Sequence, residues 1–275
     1  MLKRVLTAIV AIAIFLPILI WSDTVIFAVA MGVLCAIACT EMLRCVGLPS
    51  LYPISVPVIA IGAVLPVLPY WLDRAALAHI GVITLVIASL YLFAVMTFSR
   101  GKITLQHVGN AYLTGFYIIA AFCAMSVLRY RTAVGEYVYL VCFIGAWVTD
   151  TFAYFSGYLF GKHKLIPDVS PKKTVEGAIG GVTFCVLAFV GFSLLYNNLW
   201  LAEGGRALPV WLMAIVGLVT AVVSMVGDLT MSLVKRHYGI KDYGRILPGH
   251  GGFLDRFDSV LAVAVILAVF LGATI

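Results

Sequence analysis

The segment from Ser232 to Asp258, SLVKRHYGIKDYGRILPGHGGFLDRFD, concentrates charged side chains in a chain that is otherwise almost entirely apolar. We call it the charged segment. Two acids near its end, Asp255 and Asp258, are three residues apart and share one face if a helix has begun there. Asp228 shortly precedes the segment and can supply a third carboxylate. Because carboxylate oxygens are the ligands that Mg²⁺ prefers, and Mg²⁺ leaves positions open for phosphate, the acids predict a divalent-cation site.

Basic side chains are interleaved with these acids and supply the positive charge that a polyphosphate requires. They are Lys235, Arg236, Lys241, Arg245 and Arg256. Pro248 and three glycines surround His250, which predicts an irregular loop whose backbone can approach a ligand closely. Together the pattern indicates metal-dependent phosphoryl or nucleotidyl transfer. Taken singly, Asp228 could be a solvated helix end, and Lys235 could reach towards lipid headgroups.

The composition places the chain in a membrane. Of the 275 residues 63% are hydrophobic and 11% are charged, whereas soluble domains carry about 25% charged residues. The formal net charge of +6 is explained by basic loops on the cytoplasmic side of a membrane protein. We therefore expect membrane lipid, and no nucleic acid, as a partner.

Nine apolar windows approach the roughly 20 residues that a bilayer-spanning helix requires. This predicts an all-α, polytopic integral membrane protein with about nine transmembrane helices, forming a single integral membrane domain over residues 1–275. Residues 1–104 are expected to be mainly scaffold, and residues 105–275 to hold the catalytic helices and loops. The windows are 5–21, 24–43, 52–70, 77–98, 109–128, 137–160, 178–198, 208–231 and 257–275.

The distribution of Lys and Arg predicts the orientation. If Lys3 and Arg4 lie in the cytoplasm, most other basic residues, including those of the charged segment, fall on the same side. The exceptions would be Arg74, Arg129, Arg131 and Arg206. We therefore expect a cytoplasmic N-terminus and a cytoplasmic active site.

Two further polar positions lie outside the charged segment. Asp150 falls inside the window 137–160, where an ionisable group is costly and is therefore a functional candidate. Glu41 and Arg44 are three residues apart at a helix end and are interpreted as a surface ion pair without chemistry.

The loop IPDVSPKKTVEGAIGG carries a second cluster of charge in Lys172 and Lys173. Pro167 and Pro171 are expected to stop regular structure, and Thr174 to cap the next helix. A helix start beside lysines is a natural anion site. The alternative is a basic loop that only orients the chain.

The charged segment resembles the signature of the phosphatidate cytidylyltransferases, or CDP-diacylglycerol synthases. The sequences DTFAYFSG, starting at Asp150, and SPKKTVEG also resemble this family. The matching positions are Ser232, Lys235, Arg236, Lys241, Asp242, Gly244, Leu247, Pro248, His250, Gly251, Gly252, Phe253, Asp255, Arg256 and Asp258.

The resemblance implies transfer of the cytidylyl group of CTP to phosphatidate at a bacterial inner membrane, with Mg²⁺ as cofactor, room for a second divalent or monovalent cation, and a homodimer. On this interpretation Asp228 and Asp255 are the metal ligands, and Asp258 is a further ligand or orients a basic side chain. The remaining catalytic residues are Lys173, Lys235 and Lys241. The expected substrate-binding residues are Lys172, Arg236, Ser232, His250, Gly251, Gly252, Arg256 and Asp150.

Two other functions compete with this hypothesis. Intramembrane Asp150 and Asp228 beside interrupted helices also suit an ion-coupled transporter of an anionic solute. No inverted repeat is evident, however, and a transporter has little use for so much charge in one loop. An enzyme that transfers a phosphoalcohol from a nucleotide-activated lipid would need an acid-rich spacing that this chain lacks.

Overall fold

The structure is a computed structural model that describes residues 2–132, 134–167, 169–201 and 206–274; the side chains of residues 2–5, 8, 135 and 272–274 are not described. The chain forms two compact units. Unit 1 comprises Met1–Arg131 and Ile240–Asp255, and unit 2 comprises Thr132–Gly239 and Arg256–Ile275. The single domain over residues 1–275 stays a prediction.

Long apolar helices dominate the described chain, which confirms an all-α integral membrane protein. Helices also form at the first and last predicted windows, but the total of nine spans and the cytoplasmic N-terminus stay predictions. Lys3 and Arg4, on which that orientation depends, are among the side chains not described. Seven helical stretches of the described chain have the length and composition to cross a membrane: Val25–Cys45, Tyr52–Tyr70, Arg74–Phe98, Leu105–Tyr130, Glu136–Phe160, Val175–Trp200 and Val210–His237.

Unit 1 contains the first five helices: α1 (Leu2–Ile20), α2 (Val25–Cys45), α3 (Tyr52–Val64), α4 (Arg74–Phe98) and α5 (Leu105–Tyr130). Its core is built by α2, α3 and α5. Buried Phe27, Met31 and Phe122 belong to this core. Pro66 and Pro69 cannot donate the backbone hydrogen bonds of an α-helix, and α3 continues there as a tighter 3-10 turn, Leu65–Tyr70.

Residues 240–255 complete unit 1 and are called the glycine loop. Leu247 donates its N–H to Gly251 O at 3.0 Å, and His250 donates to Leu247 O at 2.8 Å, closing a tight turn. Gly249 and Gly251 have φ values of +79° and +85°, which only glycine adopts without strain. The predicted irregular loop around His250 is therefore confirmed.

Unit 2 contains the later helices: α6 (Gly135–Val138), α7 (Leu140–Phe160), α8 (Val175–Leu195), α9 (Val210–His237) and α10 (Leu254–Thr274), the last beginning in unit 1. Of these, α8 packs against both α7 and α9. The last turn of α9 ends with Lys235, Arg236 and His237, and positive charge is favourable at a helix C-terminus. Gly239, at φ +67°, stops the helix.

A small hairpin joins α7 to α8 and corrects the sequence interpretation. β1 (Lys164–Ile166) pairs antiparallel with β2 (Ser170–Thr174). The expectation that Pro171 stops regular structure is wrong, because Pro171 lies within β2. A two-stranded hairpin tolerates proline because each strand has an unpaired edge where no backbone donor is needed.

Candidate active site

Three carboxylates from three helices of unit 2 lie close enough to interact electrostatically. Asp150 on α7 interacts with Asp228 on α9, and Asp258 on α10 interacts with both. Asp258 is only 9% exposed. Ser259 donates its hydroxyl to Asp150 Oδ2 at 2.8 Å, and Ser232 donates to Asp228 Oδ1 at 3.3 Å. Like charges this close require nearby cations to remain ionised.

Two lysines of unit 2 supply that positive charge. Lys173 Nζ, on β2, lies 2.7 Å from Asp228 Oδ2, and each side chain is about one quarter exposed. Lys235, on α9, is 8% exposed and interacts electrostatically with Asp258. We call these three acids and two lysines the acid–lysine cluster. The sequence-predicted residues Asp150, Lys173, Asp228, Lys235 and Asp258 are thus brought together.

Small residues allow the helices that carry the cluster to approach each other. A Cβ added at Gly181 of α8 would lie 2.9 Å from Thr149 O of α7. A Cβ added at Gly227 of α9 would lie 2.6 Å from the Cβ of Ala262 on α10. The missing side chains at these glycines therefore allow α8 to pack closely against α7, and α9 against α10.

The end of the hairpin is fixed by two side chains beside Lys173. Thr174 is 8% exposed, and its hydroxyl accepts a hydrogen bond from Gly177 N at 3.1 Å, which confirms it as the N-cap of α8. Glu176 accepts hydrogen bonds from Lys162 N at 3.1 Å and from the ring Nδ1 of His163 at 2.7 Å. Both ends of the hairpin are therefore tied to α8, and Lys173 is held against Asp228.

The remaining basic candidates of unit 2 are exposed. Lys172 neighbours Lys173 on β2, where successive side chains point to opposite faces, and it is open to solvent. Arg236 and Arg256 are exposed as well. These three side chains are accessible to a ligand in solution, whereas Lys173 and Lys235 lie among the acids.

Asp255 lies in unit 1, where its carboxylate closes the glycine loop. Its Oδ2 accepts hydrogen bonds from Tyr243 N at 2.8 Å and from Gly252 N at 2.9 Å. Within the same loop Lys241 is exposed and His250 is half-buried. Asp255 therefore has a clear structural role, while its pairing with Asp228 around a metal stays a prediction.

Glu41 is the residue that the sequence interpretation missed. A surface ion pair was expected, but Glu41 is 1% exposed. Its two carboxylate oxygens accept hydrogen bonds from Phe253 N at 3.0 Å and Leu254 N at 2.8 Å. The interpretation was wrong because the donors are far away in sequence. An acid within a helix as apolar as α2 is itself a signal that could have singled it out.

The donor chemistry of the acid–lysine cluster suits a hard cation. A positive group already lies against Asp228, and the acidic side chains offer only oxygen atoms, as Mg²⁺ prefers. No group of three or more His, Cys, Asp or Glu side chains is arranged to hold a metal ion within the part of the chain that the structure describes. The acids therefore offer the donor type that a hard cation prefers, and the lysines and exposed basic residues offer positive charge to an anion.

Comparisons with known proteins agree with this chemistry. Residues 2–274 match the model of the "Cytidylyltransferase family". The chain is 36% identical over 280 residues to a protein of Staphylococcus haemolyticus (strain JCSC1435) named phosphatidate cytidylyltransferase, with 98% of each chain covered. Proteins of the same name from Staphylococcus aureus (strain COL) and Staphylococcus saprophyticus are 36% and 34% identical, again with 98% of each chain covered.

Proposed function

The chain belongs to the cytidylyltransferase family, and from this premise we propose that it transfers the cytidylyl group of CTP to phosphatidate, giving CDP-diacylglycerol and pyrophosphate. The names of full-length relatives support the two substrates. The observation in the structure that carries the proposal is the acid–lysine cluster, in which three carboxylates and two lysines meet among apolar helices.

The reaction needs no nucleophilic side chain. A phosphate oxygen of phosphatidate attacks the α-phosphorus of CTP, the new oxygen–phosphorus bond forms, and the bond from the α-phosphorus to the bridging oxygen breaks as pyrophosphate leaves. The lipid phosphate is already ionised near neutral pH. The protein must therefore reduce the repulsion between two anions and stabilise the charge that develops on the leaving group.

Basic residues of unit 2 carry out that electrostatic role in the proposal. Lys173 and Lys235 supply positive charge beside the acids, and exposed Lys172, Arg236 and Arg256 bind phosphate oxygens of CTP or of the lipid. Ser232 and Asp150 orient the cluster through their hydrogen bonds to Asp228 and Ser259. The glycine loop contains Lys241, which we propose as a catalytic residue, and His250, Gly251 and Gly252, which we propose as substrate-binding residues.

We propose Mg²⁺ as the cofactor, with Asp228 and Asp255 as its ligands, because carboxylate oxygens are the donors that it prefers. When bound, it would neutralise phosphate charge and polarise the α-phosphorus. Asp258 would be a further ligand or would orient Lys235, with which it interacts electrostatically. Room for a second cation remains part of the proposal.

The location of the site is proposed from the distribution of charge. The exposed basic residues of the hairpin, of the end of α9 and of the glycine loop are concentrated as cytoplasmic loops are. We therefore place the active site on the cytoplasmic side of the bacterial inner membrane, where CTP is available. The homodimer that the family resemblance implies stays a prediction.

The decisive experiment follows radiolabelled CTP into lipid, using the purified chain with and without phosphatidate. We expect product only when phosphatidate and Mg²⁺ are present. Asp228→Asn should lower the rate by about 10²–10³, the effect of losing one well-placed electrostatic group. The matched control is Asp23→Asn, which neutralises an exposed carboxylate between α1 and α2 and should leave the rate unchanged.

Other outcomes would separate the competing functions. Lipid labelling that does not depend on phosphatidate would contradict the proposed substrate. An inactive protein that moves a labelled anion across proteoliposomes would favour the transporter. Release of CMP from CDP-diacylglycerol with an added alcohol would favour a phosphoalcohol transferase.

A further inference from the structure

A buried acid anchors the glycine loop from a distant part of the sequence. Glu41, on α2, accepts hydrogen bonds from Phe253 N and Leu254 N, which lie 212 and 213 residues further along the chain. The first N–H groups of a helix have no partner within that helix, and negative charge is favoured there. A cap normally comes from a neighbouring residue. Here the same bonds cap α10 and also tie the loop to α2.

Two glycines of the loop leave room for this carboxylate. The three atoms nearest to a Cβ added at Gly244 all belong to the Glu41 side chain, and a Cβ added at Gly252 would lie 2.6 Å from Glu41 Oε2. Neither glycine is among those with positive φ. Gly244 and Gly252 are therefore required because a side chain there would overlap Glu41. Gly249 and Gly251 are required for a different reason, which is the positive φ of the turn.

The loop that Glu41 fixes carries candidate substrate-binding groups. Lys241 is exposed and His250 is half-buried within it. Phe253, whose N–H is bound by Glu41, also stacks its ring on Phe122 of α5, with ring centroids 6.3 Å apart. Polar and apolar contacts thus fix the same end of the loop, and the polar contact depends on Glu41.

We propose that Glu41 is a positioning residue for cytidylyl transfer: it holds the glycine loop in the one arrangement that presents Lys241 and His250 to the phosphates. The inference rests on the proposed function for its kinetic consequences, and on the structure alone for the anchoring itself. Glu41 is buried against backbone and touches no reacting group in this role. A misplacement of about 1 Å can cost a hundredfold in rate.

The first test uses Glu41→Gln in the full-length protein. Glutamine has nearly the same size, but its NH₂ group would face one of the two N–H donors, so at most one of the two hydrogen bonds survives. We expect kcat/KM for CTP to fall by about tenfold to hundredfold in protein that remains folded. Amide hydrogen exchange over residues 243–256 should become faster. The matched control is Thr40→Ala, because the Thr40 hydroxyl donates to Ala36 O of its own helix.

A double-variant experiment tests the steric part. Gly244→Ala should lose activity because its Cβ would overlap the Glu41 carboxylate. In the background of Glu41→Ala that overlap is gone, and Gly244→Ala should cause no further loss. Losses that multiply in the double variant would contradict the proposed contact.

The outcomes distinguish this inference from the proposed function. If the wild-type protein labels lipid and folded Glu41→Gln keeps wild-type kcat, KM and hydrogen exchange, Glu41 is not a positioning residue. A lower unfolding temperature with wild-type kinetics and exchange would likewise reduce Glu41 to a structural residue. If the wild-type protein transfers no cytidylyl group, the proposed function fails, and hydrogen exchange still decides whether Glu41 anchors the loop.

Discussion

Removing the positive charge of Lys173 should damage stability and catalysis in separable ways. The Lys173→Met variant keeps most of the side-chain volume but removes the charge that lies against Asp228, and Lys235 is then the remaining lysine of the acid–lysine cluster. At the observed 2.7 Å between Lys173 Nζ and Asp228 Oδ2, the gross attraction is roughly 6 kcal/mol at an effective dielectric constant of about 20. Much of this is offset by desolvation.

The expected net loss is smaller than that attraction. Removing one partner of a fully buried pair costs about 3–5 kcal/mol, and each of these side chains is about one quarter exposed. We therefore expect the free energy of unfolding to fall by about 1–3 kcal/mol. The rate of CTP turnover should fall by about 10²–10³ if Lys173 also stabilises developing phosphate charge.

A second substitution separates the two effects. Adding Asp228→Asn to Lys173→Met removes the uncompensated acid, so most of the lost stability should return. Turnover should not return, because both groups are proposed to act in the reaction. Unfolding in detergent and lipid labelling, measured on the same preparations, provide the two readouts.

Lys172, the neighbour of Lys173 on β2, provides the control for these experiments. Lys172→Met removes an exposed lysine next to Lys173 and should change the free energy of unfolding by less than about 0.5 kcal/mol. If Lys173→Met were as stable and as active as the wild-type protein, the acid–lysine cluster would have no energetic or catalytic importance. If the double variant recovered activity, Lys173 and Asp228 would be a purely structural pair.

Three further predictions concern the cap, the turn and the cofactor. Thr174→Ala removes the N-cap of α8 and should lower the free energy of unfolding by about 1 kcal/mol, measured by denaturant unfolding. Gly251→Ala, at φ +85°, should cost roughly 1–2 kcal/mol, whereas Gly191→Ala, where an added Cβ would meet open space, should be neutral or stabilising. Chelation of divalent cations should abolish lipid labelling, and added Mg²⁺ should restore it and raise the unfolding temperature; unchanged labelling in chelator would contradict a metal-dependent reaction.

Local rules explain which features were predictable from the sequence. Long apolar windows gave the helices because a bilayer-spanning helix must satisfy its own backbone. Thr174 was recognised as a cap, and Gly249 and Gly251 as turn residues, because their roles depend on immediate neighbours. The convergence of Asp228 with Asp258 was suggested by their residue type and their place at the ends of successive apolar runs.

The features that were missed depend on contacts between distant residues. Glu41 resembled a surface ion pair because its nearest charge in sequence is Arg44, while its actual donors belong to the other end of the chain. Pro171 suggested that regular structure stops in the loop between α7 and α8. Hydrogen bonds to Thr174 and Glu176 instead hold this segment as a hairpin, and Pro171 lies in its second strand. Asp255 was expected to face a metal, and its use as the acceptor for Tyr243 N and Gly252 N follows from the turn that brings the loop back on itself.

The bond between α2 and the start of α10 also has a consequence for biosynthesis. The Glu41 carboxylate enters the nascent protein 212 residues before its first donor, a delay of roughly 10–40 s at ordinary translation speeds. During that interval the Glu41 carboxylate lacks both of its backbone donors, so it must be solvated by water or bonded to other groups. A chain that stops before Phe253 therefore lacks both backbone donors of the Glu41 carboxylate, and its α2 should pack less stably than in the full-length protein.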